Sequence, residues 1–93
     1  MSAVTIDESV TPILTDILRQ SRERGFQPPL TLVFVGKDGA SAVLRYVPPA
    51  DGPEQLAQQI KNRQWAMPLN IMIVDSRGEG AVITLRAEQF SKH

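Results

Sequence analysis

Residues 26–47, FQPPLTLVFVGKDGASAVLRYV, and residues 65–86, WAMPLNIMIVDSRGEGAVITLR, share one pattern at a spacing of 39. In each, an aromatic residue stands before a proline, and the proline opens an apolar run. A glycine-bearing turn then leads into a second run. Extended outward, residues 14–47 face residues 53–86 without a gap, and eight of the 34 pairs are identical: Gln20/Gln59, Arg24/Arg63, Pro29/Pro68, Leu30/Leu69, Val35/Val74, Gly39/Gly78, Ala42/Ala81 and Val43/Val82. Others keep their chemistry, among them Phe26/Trp65, Leu32/Ile71 and Leu44/Ile83. A single gap-free offset over most of the chain marks an internal duplication rather than shared strand composition.

Each unit reads as helix, strand, strand. In the first, Thr11 is expected at the N-cap and Pro12 in the first helical position. Leu14, Ile17 and Leu18 form one apolar stripe at helical spacing. Gly25 suits a left-handed helix end. Strands follow at Leu30–Val35 and Ser41–Val47, joined by a Gly36-Lys-Asp-Gly39 hairpin turn. Pro48-Pro49 stops the second strand. In the second unit, Asp51 and Glu54 have capping-box spacing, with Pro53 in the first turn and Leu56, Ala57 and Ile60 on the buried side. Strands follow at Leu69–Val74 and Ala81–Arg86 around Ser76-Arg-Gly-Glu-Gly80.

The expected fold class is α+β: an αββαββ duplication forming a two-layer sandwich, with a four-stranded, mainly antiparallel sheet and two helices on one face. Residues 1–93 form one domain, with an arm at 1–10, units at 11–47 and 51–86, and a tail at 87–93. The connectivity resembles a circularly permuted ferredoxin-like arrangement, which would order the strands third, fourth, second, first. That order puts the two most continuous apolar strands at the edges. Such runs suit central strands, so either the first and third lie side by side or a second chain covers those edges. Val4-Thr-Ile6 alternates and is a candidate fifth strand covering an edge.

Alternation along the strands divides the sheet into two faces. Leu30, Leu32, Phe34, Leu44, Leu69, Ile71, Ile73, Ile83 and Leu85 fall on a face fit to pack on helices. Of twelve positions on the other face, seven are apolar: Val33, Val35, Val43, Val47, Met72, Val74 and Val82. A solvated sheet face is mostly polar. Contiguous valines over four strands therefore mark an interface, and self-association through this face or the sheet edges is the expected role.

Composition narrows the chemistry. Ten Lys+Arg balance ten Asp+Glu, cysteine is absent, and the one histidine is His93. Disulfides, thiolate chemistry, Cys-ligated metals and a Ser-His-Asp set are excluded on composition. No cofactor or metal is expected, and independent catalysis is not expected. Zero net charge and the absence of interleaved aromatics speak against nucleic acid, so Arg19, Arg22, Arg24, Lys61 and Arg63 read as charges suited to helix ends and solubility. Asp38, Asp75 and Glu79 sit in turns, where carboxylates are ordinarily solvated. Phe26 and Trp65 read as plugs between helix end and sheet. No run is long enough to span a membrane, and the N-terminus lacks a signal pattern, so a cytoplasmic protein is the expectation. Arg45 and Arg86 both point to the valine-rich face, and if adjacent they would hold a carboxylate or phosphate, the alternative function for the chain.

Overall fold

A computed structural model describes residues 2–6 and 9–90, with only the backbone of Ser2 and Ala3. His93 and the other tail residues after Phe90 lie outside the described residues. The elements are β1 (Ser2–Thr5), α1 (Val10–Glu23), β2 (Leu30–Val35), β3 (Ser41–Tyr46), α2 (Pro53–Ile60), β4 (Gln64–Met67), β5 (Leu69–Val74), β6 (Gly80–Leu85) and a 3₁₀ turn, Ala87–Phe90. The αββαββ order is present, with β1 and β4 added to it.

The four-stranded sheet is antiparallel throughout and runs β3-β2-β5-β6. The ferredoxin-like strand order is therefore not the one adopted. The two apolar strands are the central pair, because each needs cover on its flanks as well as on one face.

The register between them is set by the duplication. Val33 stands opposite Met72, its own equivalent in the repeat. Leu32 opposite Ile73 maps onto Phe34 opposite Ile71, and Thr31 opposite Val74 maps onto Val35 opposite Asn70. A local two-fold axis thus passes through the Val33–Met72 pair.

The hairpins repeat with the same fidelity. Gly36 N–H donates to Ala40 O at 2.7 Å, and Asp75 N–H to Glu79 O at 2.8 Å. Gly39 and Gly78 close their turns with φ of 92° and 86°. Few residues but glycine adopt such angles, which suit the last position of a three-residue hairpin loop.

The apolar face packs against both helices. Val10, Leu14, Ile17 and Leu18 of α1 and Leu56, Ala57 and Ile60 of α2 join Leu32, Phe34, Leu44, Leu69, Ile71 and Ile73 in one core. Val10 belongs to the same stripe as Leu14 and Ile17, so α1 begins at Val10 and Thr11 lies inside it rather than at the N-cap. The helix ends in a Schellman arrangement. Gly25 N–H donates to Arg22 O and Phe26 N–H to Ser21 O, each at 3.0 Å, with Gly25 at φ 85°.

Helix α2 is capped differently from the expected Asp51–Glu54 box. Gly52 occupies the N-cap, and its N–H donates to the Gln55 carboxamide oxygen at 2.7 Å. Asp51 instead accepts from Val47 N–H at 3.0 Å, closing the loop around Pro48-Pro49.

Strand β1 does not cover an edge of the main sheet. It pairs with β4, a strand where the sequence suggested only a lead-in, as a separate antiparallel ribbon. The ribbon buries Trp65, whose ring lies 6.2 Å from Phe34 and beneath the Arg63 guanidinium at 5.3 Å.

Truncating a central core side chain tests this packing. Ile71→Ala is expected to cost about 2–5 kcal/mol in denaturant unfolding. Val82→Ala, at an exposed site on an edge strand, is expected to stay within about 0.5 kcal/mol of the parent.

Candidate functional site

The second sheet face is open. Val43 and Val82 expose 66% and 64% of their surface, and Val47, Met72 and Val74 are also exposed. Val33 and Val35 on β2 are half-buried by their neighbours. Cross-strand register lines up Val43, Val33, Met72 and Val82 as one apolar row across all four strands, centred on the local two-fold. The flanking rows are mixed. Arg45, Thr31, Val74 and Gly80 lie on one side, and Ser41, Val35, Asn70 and Thr84 on the other. Thr84 donates its hydroxyl to the Asn70 carboxamide oxygen at 2.7 Å.

The two arginines do not converge. Arg45 lies on β3 and Arg86 directly after β6, at diagonal corners of the sheet. Strand rise and strand spacing put them roughly 25 Å apart. Each stands at a corner of the open face, away from the apolar row, and one small anion cannot bridge them.

Asp75 is the buried carboxylate among the described residues, with no side-chain surface exposed. It is not the solvated turn residue its position suggested. Its Oδ2 accepts from Gln27 N–H at 2.9 Å, and its Oδ1 from Arg77 N–H and Glu79 N–H, each at 2.9 Å. Arg77 Nε adds a longer contact at 3.4 Å. Ser76 N–H donates to Gln27 O, and Arg77 Nη2 to Gly25 O. The second hairpin is thereby tied to the segment leaving α1. Desolvation raises the Asp75 pKa, but the three backbone donors and the Arg77 side chain outweigh it and hold the carboxyl below its ordinary 3.8.

The equivalent joint in the other half is made without a carboxylate. Lys37 N–H donates to Ala66 O at 3.0 Å, as Ser76 does to Gln27. At the place of Asp75 stands Gly36, where a Cβ would lie within 3.4 Å of both Ala66 O and the Trp65 ring.

On the helix side, one end of the molecule is hollow. A groove of about 400 Å³ runs between α1, the Phe26–Pro28 segment, Tyr46 and the Pro48–Pro53 loop, with Leu18 and Leu30 also on its wall. Arg19 and Arg22 border it. Arg19 is bound to Asp16 and to Glu23, the latter at 3.1 Å, while Arg22 makes no ion pair among the described residues. Nothing in the linear pattern points to this groove, because Arg22 reads as a helix-end charge and Tyr46 as a strand end.

Comparison with family models, curated proteins and solved structures returns no match. The functional reading rests on geometry. Among the described residues, no group of three or more His, Cys, Asp or Glu could hold a metal, and no helix is long and apolar enough to cross a membrane.

The Asp75 joint carries a pH dependence. Its folded pKa is depressed, so its contribution is present above the unfolded-chain value and is lost as pH falls through the lower folded value. Asp75→Asn is expected to lower the melting temperature at about pH 6, with the gap to the parent closing towards about pH 2. Thermal melts across that window check it. An unchanged gap would mean that the carboxylate's charge plays no part.

Proposed function

We propose that the chain is a non-catalytic association module, cytoplasmic in setting, that forms a homodimer by stacking its open sheet face on that of a second copy. One observation carries this reading: the apolar row Val43–Val33–Met72–Val82 crosses the whole sheet and is centred on a local two-fold. An isologous dimer uses the same patch on both copies, so the patch must complement itself. A row that is nearly symmetric about its own centre does so, since each copy presents valine to valine and methionine whichever end is matched. Charges stand at the corners, where Arg45 and Arg86 stay at the rim instead of being buried unpaired. The non-catalytic part of the reading is supported by Asp75, whose carboxylate is committed to backbone donors.

The size of the face sets the strength of the dimer. The four strands, each of six residues, cover roughly 400 Å² per copy at ordinary strand spacing and rise. Two such faces, about 800 Å² together, fall below the size of stable interfaces, which suits a weak, reversible dimer. Sheets stacked in this way sit about 10 Å apart with strands about 30° from parallel.

Sedimentation equilibrium tests it. The parent is expected to move from monomer to dimer over micromolar concentrations, and Val82→Lys or Val43→Lys to remain monomeric with an unchanged monomer fold by circular dichroism. Both side chains are already exposed in the monomer, so a lysine there costs little except in the dimer. A parent that stays monomeric at about 100 µM overturns the reading.

A further inference from the structure

The local two-fold relates the groove at the end of α1 to a second place in the molecule, and the two have different fates. Phe26, Pro28 and Tyr46 border the open groove. Their equivalents in the repeat are Trp65, Met67 and Leu85, all buried. They are covered because β1 pairs along β4 and because Ala87 and Phe90 pack on the core beside them. What is left there is a recess of about 150 Å³ bordered by Met67, Pro68, Arg86, Ala87 and Glu88. Among the described residues, one of two equivalent hollows is thus filled by the chain's own segments and the other is left open.

The open hollow cannot be filled in the same manner. β1 is held by the backbone of β4, whereas the backbone at the equivalent segment is already engaged. Gly25 and Phe26 N–H close the helix end, Gln27 N–H is given to Asp75, Gln27 O accepts from Ser76, and Pro28 has no N–H. An added strand would find few donors or acceptors, so an occupant must be recognised by side chains. Those present include Phe26, Tyr46, Pro28, Pro48, Leu18 and Arg22. Among the described residues no carboxylate borders the groove, and the charge of Arg19 is taken up by Asp16 and Glu23. The volume lies in the range of small-molecule sites.

We propose that this groove is a binding site for a small amphipathic anion, a flat apolar body with one carboxylate. The body lies between the Phe26, Tyr46 and proline rings, and the carboxylate meets the Arg22 guanidinium at the rim. Aromatic and proline walls favour a planar body, and a guanidinium fork matches the geometry of a carboxylate. The site is on the helix side of the sheet and shares no lining residue with the dimer face.

Binding of 2-naphthoate, followed by amide and methyl chemical shifts in two-dimensional NMR of the full chain, tests the proposal. Saturable shifts are expected at Leu18, Arg22, Phe26 and Tyr46, with Val43 and Val82 unmoved. Arg22→Ala is expected to weaken binding about tenfold, the loss of one charge-assisted hydrogen bond. The neutral 2-naphthamide is expected to bind the parent as weakly as 2-naphthoate binds the variant. Arg22 and Thr15 are exposed, so Arg22→Ala and the groove-filling Thr15→Phe are both expected to fold, and Thr15→Phe to abolish binding. No saturable shift, shifts centred on the valine face, or equal affinity for parent and Arg22→Ala would each overturn the proposal.

Discussion

Backbone pairing of β2 with β5 is the constraint on which the rest of the molecule hangs. These strands come from equivalent places in two copies of one αββ unit, and they meet antiparallel with Val33 opposite Met72. Antiparallel pairing of equivalent strands generates a two-fold axis, and that axis places the remaining elements. It sends β3 and β6 to opposite edges and leaves every even-numbered side chain of β2 and odd-numbered one of β5 facing the helices. It also brings each hairpin turn against the segment leaving the other unit's helix. The bonds Lys37 N–H to Ala66 O and Ser76 N–H to Gln27 O are one interaction written twice. A slip of one residue in the central register would turn the core-facing side chains of the slipped strand to water, which is why that register is firmly specified.

Much of this is legible in the chain because it is written in short-range pattern. Alternation along Leu30–Val35 and Leu69–Val74 separates the two faces residue by residue, and the burial of those strands matches it. The offset of 39 predicts equivalent strands, and the strand bounds reproduce it. Strand order is harder to read, since connectivity alone admits a ferredoxin-like arrangement. The better guide is the continuity of the apolar runs, a statement about burial rather than chain path. Strand β4 is hidden from such patterns because its four residues, Gln64–Met67, sit between a helix and Pro68 and find their partner at the start of the chain. No local pattern encodes such a pairing. Asp75 departs from expectation for the same reason. A carboxylate in a turn is solvated unless another part of the chain lies over it, and here the Gln27 backbone does.

The halves agree in the sheet and diverge at the joints, and the divergence is physically linked. In one half, the joint under the hairpin is filled by Asp75, and the aromatic beside it is Phe26, half-buried. In the other the aromatic is the larger Trp65, fully buried, and the residue beneath is Gly36, whose missing side chain leaves the indole ring and the Ala66 carbonyl close by. The larger ring needs more cover, and β1 with the 3₁₀ turn supplies it. Even so, the indole N–H of Trp65 has no acceptor among the described residues, so the exchange of a hydrogen-bonded carboxylate for buried aromatic surface is incomplete in polar satisfaction. Hydrogen bonding dominates one joint and apolar burial the other.

That asymmetry explains why two kinds of surface survive on one small sheet. The open face keeps the two-fold, because no described segment crosses it, and its centre is therefore apolar and self-matching. The helix side loses the two-fold, because β1 and the Ala87–Phe90 turn cover only one end, and the uncovered end is bordered by aromatic rings, prolines and an arginine. Strand β3 touches both. Tyr46 lines the groove while Val43 and Arg45 face the other way, as alternation demands. The two surfaces share no side chain, but close packing transmits strain through the sheet between them. Two surfaces separated by a single rigid sheet can therefore be selected for different partners, and the strand they share is the place where a change meant for one would disturb the other.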